Sequence, residues 1–264
     1  MSTVLITGAS SGIGAELARA HARRGDAVVL LARRADRLQE LAKEISEQGG
    51  KAWVFAADVT REGDVAAAIA SLANERVGID RVYANAGFGV AGAIQRIELA
   101  DYRRQFETNV FGLLSTIYES LPALRLSRGQ LVLIGSVAGH VSAPGASAYS
   151  ASKFAVRALA ESLRGDLAAE GITVTLVSPG FVDSDIRRTN NQGKLRAEAK
   201  DPIPAWLRVP TEPAVRSLLR GVDRGQAEVI VTGHGKVIVF LSRHFPGLVR
   251  FLTSRAYRAR PEPG

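Results

Sequence analysis

Tyr149 and Lys153 stand four residues apart in Tyr149-Ser150-Ala151-Ser152-Lys153, a spacing that puts both side chains on one helix face. A phenol with its ordinary pKa near ~10 is a poor acid or base at neutral pH. A nearby ammonium favours the phenolate and lowers that value. Upstream, Gly135-Ser136 closes an apolar run, and the serine hydroxyl can hold an oxygen on which charge develops. The chemistry expected of the three is carbonyl–alcohol interconversion. Tyr149 protonates a developing alkoxide, or deprotonates an alcohol in reverse. Ser136 hydrogen-bonds the same oxygen. Lys153 lowers the Tyr149 pKa and binds the ribose of a nicotinamide, which carries the hydride. A Tyr/Lys pair at this spacing is by itself often a surface pair. Its weight comes from the serine upstream and from a glycine loop near the chain start.

That loop reads Thr7-Gly8-Ala9-Ser10-Ser11-Gly12-Ile13-Gly14 and joins a strand-like run to a helical one. Its glycines, in a G-x-x-x-G-x-G spacing, allow a tight turn and close backbone approach to a phosphate. The following helix N-terminus offers free N–H groups to a pyrophosphate. Gly8, Ser10, Ser11, Gly12, Ile13 and Gly14 are therefore candidate cofactor contacts, with a purely structural turn as the rival reading. The second strand ends Leu31-Ala32-Arg33-Arg34, with no carboxylate before Asp36. An NAD site places a carboxylate there for the ribose hydroxyls, whereas paired guanidinium donors suit a 2′-phosphate. NADP(H) is thus favoured over NAD(H). Arg33 is the main candidate, with Arg34 and Arg37 as helpers or as decoration of the helix surface. Asp58, after the third strand, either accepts from the adenine amino group or caps its own loop. Asn85-Ala86-Gly87, after the fourth, is small enough to let backbone pass close to a cofactor.

The elements that must carry these residues alternate. Strands are expected at Thr3–Thr7, Ala27–Leu31, Ala52–Ala56, Arg81–Ala84, Gln130–Gly135, Thr173–Val177 and Glu228–Thr232. They are continuous apolar runs, the pattern of strands covered on both faces. Helices are expected at Ile13–Arg24, Arg34–Gln48, Glu62–Glu75, Asp101–Leu124 with Asp101 as N-cap, and Ser147–Glu170, with another starting at Thr211. This order predicts an α/β fold, a doubly wound parallel sheet with helices on both faces. Ligands bind such sheets beyond the carboxyl ends of the strands, where all the candidates above fall.

Composition excludes other chemistries. There is no cysteine among 264 residues, so disulfides and thiolate metal sites are ruled out. The four histidines, at 21, 140, 234 and 244, have no helix-face metal spacing, and no metal site is expected. The chain opens directly on a strand-like run, without a signal-peptide pattern, and a cytoplasmic location is expected. The net charge of +8 suits a phosphorylated cofactor or an anionic surface. No aromatic-interleaved basic motif points to nucleic acid.

Taken together, Thr7–Gly14, Asp58-Val59, Asn85-Ala86-Gly87, Asn109, Ser136, Tyr149-x-x-x-Lys153 and Pro179-Gly180 resemble the short-chain dehydrogenase/reductase family over roughly residues 2–185. The resemblance implies one Rossmann domain with a seven-stranded sheet, here residues 1–234. It gives Asn109 a place in a proton relay beside the lysine. It implies cofactor contacts at Val59, Ala86, Gly87, Pro179, Gly180, Val182 and Ser184, where Ser184 keeps the hydroxyl of the family's usual threonine. It implies a substrate lid at about 181–210, a small-molecule carbonyl or alcohol substrate, and a homodimer or homotetramer built on the helices at 101–124 and 147–170. Two departures stand out. Ala84 replaces a common asparagine, and Ser11 is neutral where some NADP-using relatives carry a basic residue. A non-catalytic nucleotide sensor or a membrane-docked interaction protein on this fold is the alternative; it predicts loss of Tyr149 or Lys153, and both are present.

Residues 235–264 depart from the family core. Apolar side chains are dense, basic ones are interspersed, and Pro246 interrupts them. The segment reads either as basic amphipathic helices lying on a membrane, which would suit a hydrophobic or lipid-like substrate, or as a helix covering the pocket or a subunit interface.

Overall fold

The computed structural model describes residues 1–193, 198, 201 and 203–258. Residues 194–197, 199–200 and 202 of the expected lid, Pro202 among them, and 259–264 of the expected extension lie outside the described residues.

Seven strands form one parallel sheet: β1 (Thr3–Thr7), β2 (Ala27–Ala32), β3 (Ala52–Ala56), β4 (Arg81–Ala84), β5 (Gln130–Ile134), β6 (Thr173–Ser178) and β7 (Glu228–Ile230). Their spatial order is β3-β2-β1-β4-β5-β6-β7. The chain winds outward from β1 to β3, crosses to β4, and winds outward the other way. The two halves therefore part beyond the carboxyl ends of β1 and β4, which opens the cleft in which such sheets bind ligands.

Helices cover both faces. Val4, Ile6, Val28 and Leu30 pack with Leu17 of α1 (Gly12–Ala22), Leu38, Leu41 and Ile45 of α2 (Ala35–Glu47), and Leu218 and Leu219 of α7 (Thr211–Asp223). The alternate strand residues Leu5, Val29 and Leu31 pack with Val65 and Leu72 of α3 (Asp64–Asn74), Ile117 and Leu124 of α5 (Gly112–Ser127), and Val156 and Ala160 of α6 (Ser147–Ala168). Each fully buried leucine or isoleucine contributes about 1.5–3 kcal/mol. The unbroken apolar runs in the sequence follow from this two-sided burial. α8 (Gly233–His244) and α9 (Pro246–Arg258) close the described chain. Pro246 sits at the first position of α9, where its missing N–H costs nothing.

The expected helix at Asp101–Leu124 is built differently. α4 (Leu99–Phe106) leads into a π-helical turn at Glu107–Phe111 and then into α5. Asp101 is not the N-cap. Glu98 holds that position, and Asp101, three residues on, accepts from the Glu98 N–H in a reciprocal capping box. Other boundaries shift by a few residues. β7 stops at Ile230 rather than Thr232 because Thr232 caps α8, its Oγ1 accepting from Gly235 N.

Candidate active site

The glycine loop is shaped by two residues in the left-handed region, Gly8 (φ 68°) and Gly12 (φ 54°). A Cβ on Gly8 would lie 2.8 Å from the Ala86 Cα. One on Gly14 would fall 2.6 Å from Asn85 Nδ2 and closer still to the Gly8 carbonyl oxygen. Asn85 fastens the loop to β4. Its Nδ2 donates to the carbonyls of Thr7 (2.8 Å) and Gly8 (3.3 Å). Thr7 knits the same seam from within: its hydroxyl accepts from the Asn85 and Ala86 N–H groups and donates to the Tyr83 carbonyl. Ser11 makes no side-chain cap at the α1 N-terminus. A loop where an added Cβ on Gly8 or Gly14 collides, beside an uncapped helix N-terminus, has the close backbone approach and free N–H groups that could hold a pyrophosphate.

The arginines divide unexpectedly. Arg34, named as a helper, lies over the loop: its guanidinium donates to Ser10 Oγ (3.0 and 3.2 Å) and Ser11 Oγ (2.7 Å). Arg33 is 63% exposed, with Nη1 3.9 Å from Asp58 Oδ2. Arg37 points to Glu40 on its own helix. Asp58 caps its loop, Oδ1 accepting from Thr60 N and Thr60 Oγ1, while its other oxygen faces Arg33. Val59 packs beneath, against Gly112, whose Cβ would meet it at 2.5 Å. Across the cleft, Ser184 lies within 3.3 Å of a Cβ placed on Gly12. Pro179 accepts from Val137 N, and Val182 N donates to the Gly180 carbonyl.

The end of β5 and the start of α6 bring Ser136, Tyr149 and Lys153 together. Ser136 begins a one-turn 3₁₀ segment, its Oγ accepting from Ala138 N at 3.1 Å. Lys153 is buried; its Nζ donates to the Ile134 carbonyl at 2.8 Å and lies 5.9 Å from the Tyr149 ring centroid. Burial brings the Lys153 pKa down to about 8. Asn109 lies in the π-helical turn and is buried. Its Oδ1 accepts from Phe88 N, and its Nδ2 donates to the Phe88 carbonyl and to Ser152 Oγ. Gly87 fits between them, since a Cβ there would lie 3.0 Å from Asn109 Oδ1 and 3.8 Å from Lys153 Nζ.

One expectation is corrected. The Tyr149 pKa is raised, not lowered, because burial disfavours the phenolate; the hydrogen bond with Ser136 and the Arg187 charge oppose the rise only in part.

Residues that sequence reading missed complete the site. Gln105, one helical turn before Asn109, accepts from Val90 N (2.6 Å) and donates to the Phe88 carbonyl (2.8 Å), so two amides on adjacent turns hold the loop after Gly87. Arg187 is fixed by Asp201 and the Val182 carbonyl. Gly89 lies beside the Tyr149 ring: a Cβ there would sit 3.7 Å from Tyr149 Cδ2 and 3.7 Å from Ile186 Cγ1. The spacing of Gln105 and Asn109, four apart on one helix face, was the available signal for the first of these.

The sequence profile of the family described as short chain dehydrogenase matches residues 2–195. The chain belongs to this family. It is 42% identical over 232 residues to an oxidoreductase of Mycobacterium tuberculosis, covering 86% of this chain and 87% of that one. It is 32% identical over 269 residues to 11-beta-hydroxysteroid dehydrogenase A of Sesamum indicum, covering 98% and 76%. Among solved structures, a short-chain dehydrogenase of Sphingobium yanoikuyae in complex with NADPH superposes with a TM-score of 0.76 at 30% identity, covering 100% of this chain and 98% of that one. A short-chain dehydrogenase/reductase of Burkholderia phymatum in complex with NAD shares the fold, with a TM-score of 0.82 at 22% identity and 94% of each chain covered. As a member of the family, the chain is an oxidoreductase on a Rossmann-type nucleotide-binding fold.

Proposed function

We propose that the protein is an NADP(H)-dependent oxidoreductase that moves a hydride between a nicotinamide and a carbonyl or secondary alcohol carbon, with Tyr149 as the acid/base. The observation that carries this reading is the grouping of Ser136, Tyr149 and Lys153 at the mouth of a cleft whose glycine wall admits no side chain. When bound, the nicotinamide supplies or accepts the hydride. The chain's own residues handle the oxygen and its proton. Ser136 orients the carbonyl toward the Tyr149 hydroxyl. Tyr149, kept protonated by burial, releases its proton to that oxygen as hydride reaches the carbon, and takes one back in the oxidative direction. Lys153, buried beside Asn109, holds the ribose and sustains proton return.

Arg34 and Arg33 suit the extra phosphate of NADP(H). Arg34 bridges Ser10 and Ser11 at the loop, and Arg33 carries an exposed charge at the end of β2. An apolar carbonyl compound is the substrate class favoured by Ile186, which with the Tyr149 ring flanks Gly89, and by the steroid named for the Sesamum indicum relative. Exposed Phe111 and Tyr118 around α5, with Phe154 on α6, support self-association on those helices. The test is fluorescence titration with NADPH and NADH, beside Arg33→Ala and Arg34→Ala. Each variant is expected to weaken NADPH binding at least tenfold, the loss of charge-assisted phosphate bonds costing about 1.5–3 kcal/mol, and to leave NADH binding within about twofold. Equal binding of both nucleotides by the unmodified protein would contradict the NADP assignment.

A further inference from the structure

The redox chemistry makes no use of the far edge of the sheet. There α8 packs Gly235 and Val239 against the domain and ties Arg243 to Glu228 at 2.7 Å. Its outer side bears Lys236, Val237, Phe240 and Arg243, with Phe240 56% exposed. In α9, helical spacing aligns Leu248, Phe251, Leu252 and Arg255 on one face, and Phe251 is 60% exposed. From Gly233 to Arg258 the sequence holds no aspartate or glutamate, while Lys236, Arg243, Arg250, Arg255 and Arg258 are distributed through it.

Between α7 and α8, over the edge strand β7, runs a groove of about 570 Å³. Arg220, Arg224, Lys236 and Arg243 line it, against the single carboxylate of Glu228. That carboxylate is engaged by Arg243 and His140. Among the described residues, Arg220, Arg224 and Lys236 have no ion-pair partner. Unopposed like charges around one concavity raise its potential and draw in anions. Phe240 lies on α8 between Lys236 and Arg243, so apolar and cationic groups share this face.

We propose that this surface docks the protein on an anionic lipid membrane, with lipid phosphates taken up by Arg220, Arg224, Lys236 and Arg243 and with Phe240, Leu248, Phe251 and Leu252 entering the acyl boundary. Charge decides the occupant. A second copy packed face to face would set these cations against the same cations, with no carboxylate on α8 or α9 to meet them. A bilayer rich in anionic headgroups satisfies both the charge and the apolar side chains. Docking would also bring the bilayer near the substrate segment. His234, at the start of α8, stacks on Phe181 at 5.1 Å and accepts from its N–H at 2.9 Å.

The test is flotation of the full chain with phosphatidylcholine vesicles, with and without phosphatidylglycerol. Flotation is expected only with phosphatidylglycerol and should fall as salt rises. The Arg220→Ser/Arg224→Ser/Lys236→Ser variant should bind about 100-fold more weakly, about fivefold for each cation removed. Phe251→Ser/Leu252→Ser should lose flotation as well. Both variants should keep the circular dichroism spectrum and NADPH titration of the unmodified protein, which separates loss of docking from loss of fold or redox site. No flotation on either vesicle, or equal flotation on both, would overturn the proposal. So would a melting shift with inorganic pyrophosphate that persists with NADPH bound and is lost in the Arg220→Ser/Arg224→Ser/Lys236→Ser variant, in the absence of flotation, which would mark a soluble-anion site. Conversion of a dimer to a monomer by Phe251→Ser/Leu252→Ser, with flotation unchanged, would assign the surface to a second copy instead.

Discussion

The cleft beyond β1 and β4 and the helices α8–α9 are built on opposite principles. In the cleft nearly every polar group is spoken for. Thr7, Asn85, Gln105 and Asn109 each make two or more hydrogen bonds to backbone, and glycines stand where side chains would collide. In α9, leucines and phenylalanine face outward beside arginines. The first arrangement holds geometry at high cost for any change. The second spends little on internal order and leaves its apolar and charged groups for something outside the chain. The contrast teaches where function needs rigidity: proton transfer depends on sub-ångström placement, whereas adhesion to a surface depends on area and charge.

Substitutions should break the contrast unequally. Tyr149→Phe removes the proton donor without changing the ring, and carbonyl reduction should fall ~10²–10⁴-fold. NADPH titration of the same variant should be unchanged; a variant retaining half its turnover would remove Tyr149 from the mechanism. Gly14→Ala forces a methyl against the Gly8 carbonyl and Asn85. Overpacking of this kind costs ~1–3 kcal/mol, so melting temperature and NADPH affinity should drop together. Gln105→Ala strands the buried Val90 N–H and leaves the Phe88 carbonyl to Asn109 alone, at ~1–3 kcal/mol. Urea unfolding should register that loss, with turnover falling as well.

The pH dependence separates the regions further. Lys153 is charged below about pH 8 and neutral above it, so kcat/KM for reduction should decline as pH rises through that value. Lys153→Met should lose this limb. Glu228 behaves in the opposite sense. Its pKa is lowered from 4.5 to about 2, chiefly by its hydrogen bond with His140, with Arg243 also contributing. Its contribution to stability is complete above pH 4.5 and is lost as pH falls toward 2. Glu228→Gln should flatten the acid limb of thermal stability and lower the melting temperature by roughly 3 °C near neutrality. The smallest effect is expected from deleting residues 246–264, because α9 buries so little. Stability should change by about 0.5 kcal/mol or less, and a larger loss would show that α9 belongs to the core.

Much of the fold was legible because two-sided burial writes itself as continuous apolar runs. All seven strands lie within a few residues of their expected places. The Tyr149–Lys153 spacing and the glycine loop were legible because their backbone geometry restricts residue type. What stayed hidden depends on tertiary contacts. The π-helical turn that carries Asn109 has no periodicity of its own at five residues. The capping box at Glu98 displaced Asp101 because either carboxylate satisfies the local rule. Arg33 and Arg34 are adjacent in sequence, and only the path of the chain leaving β2 decides that Arg34 reaches Ser10 and Ser11. The rise in the Tyr149 pKa follows from burial, which the one-turn spacing to Lys153 does not report.

The most direct test of the central claim is single-turnover reduction of an apolar ketone by the protein preloaded with NADPH, comparing the unmodified chain with Tyr149→Phe. The account predicts stoichiometric loss of nicotinamide absorbance in the unmodified protein and essentially none in the variant, despite equal NADPH occupancy. Equal rates in the two would contradict it.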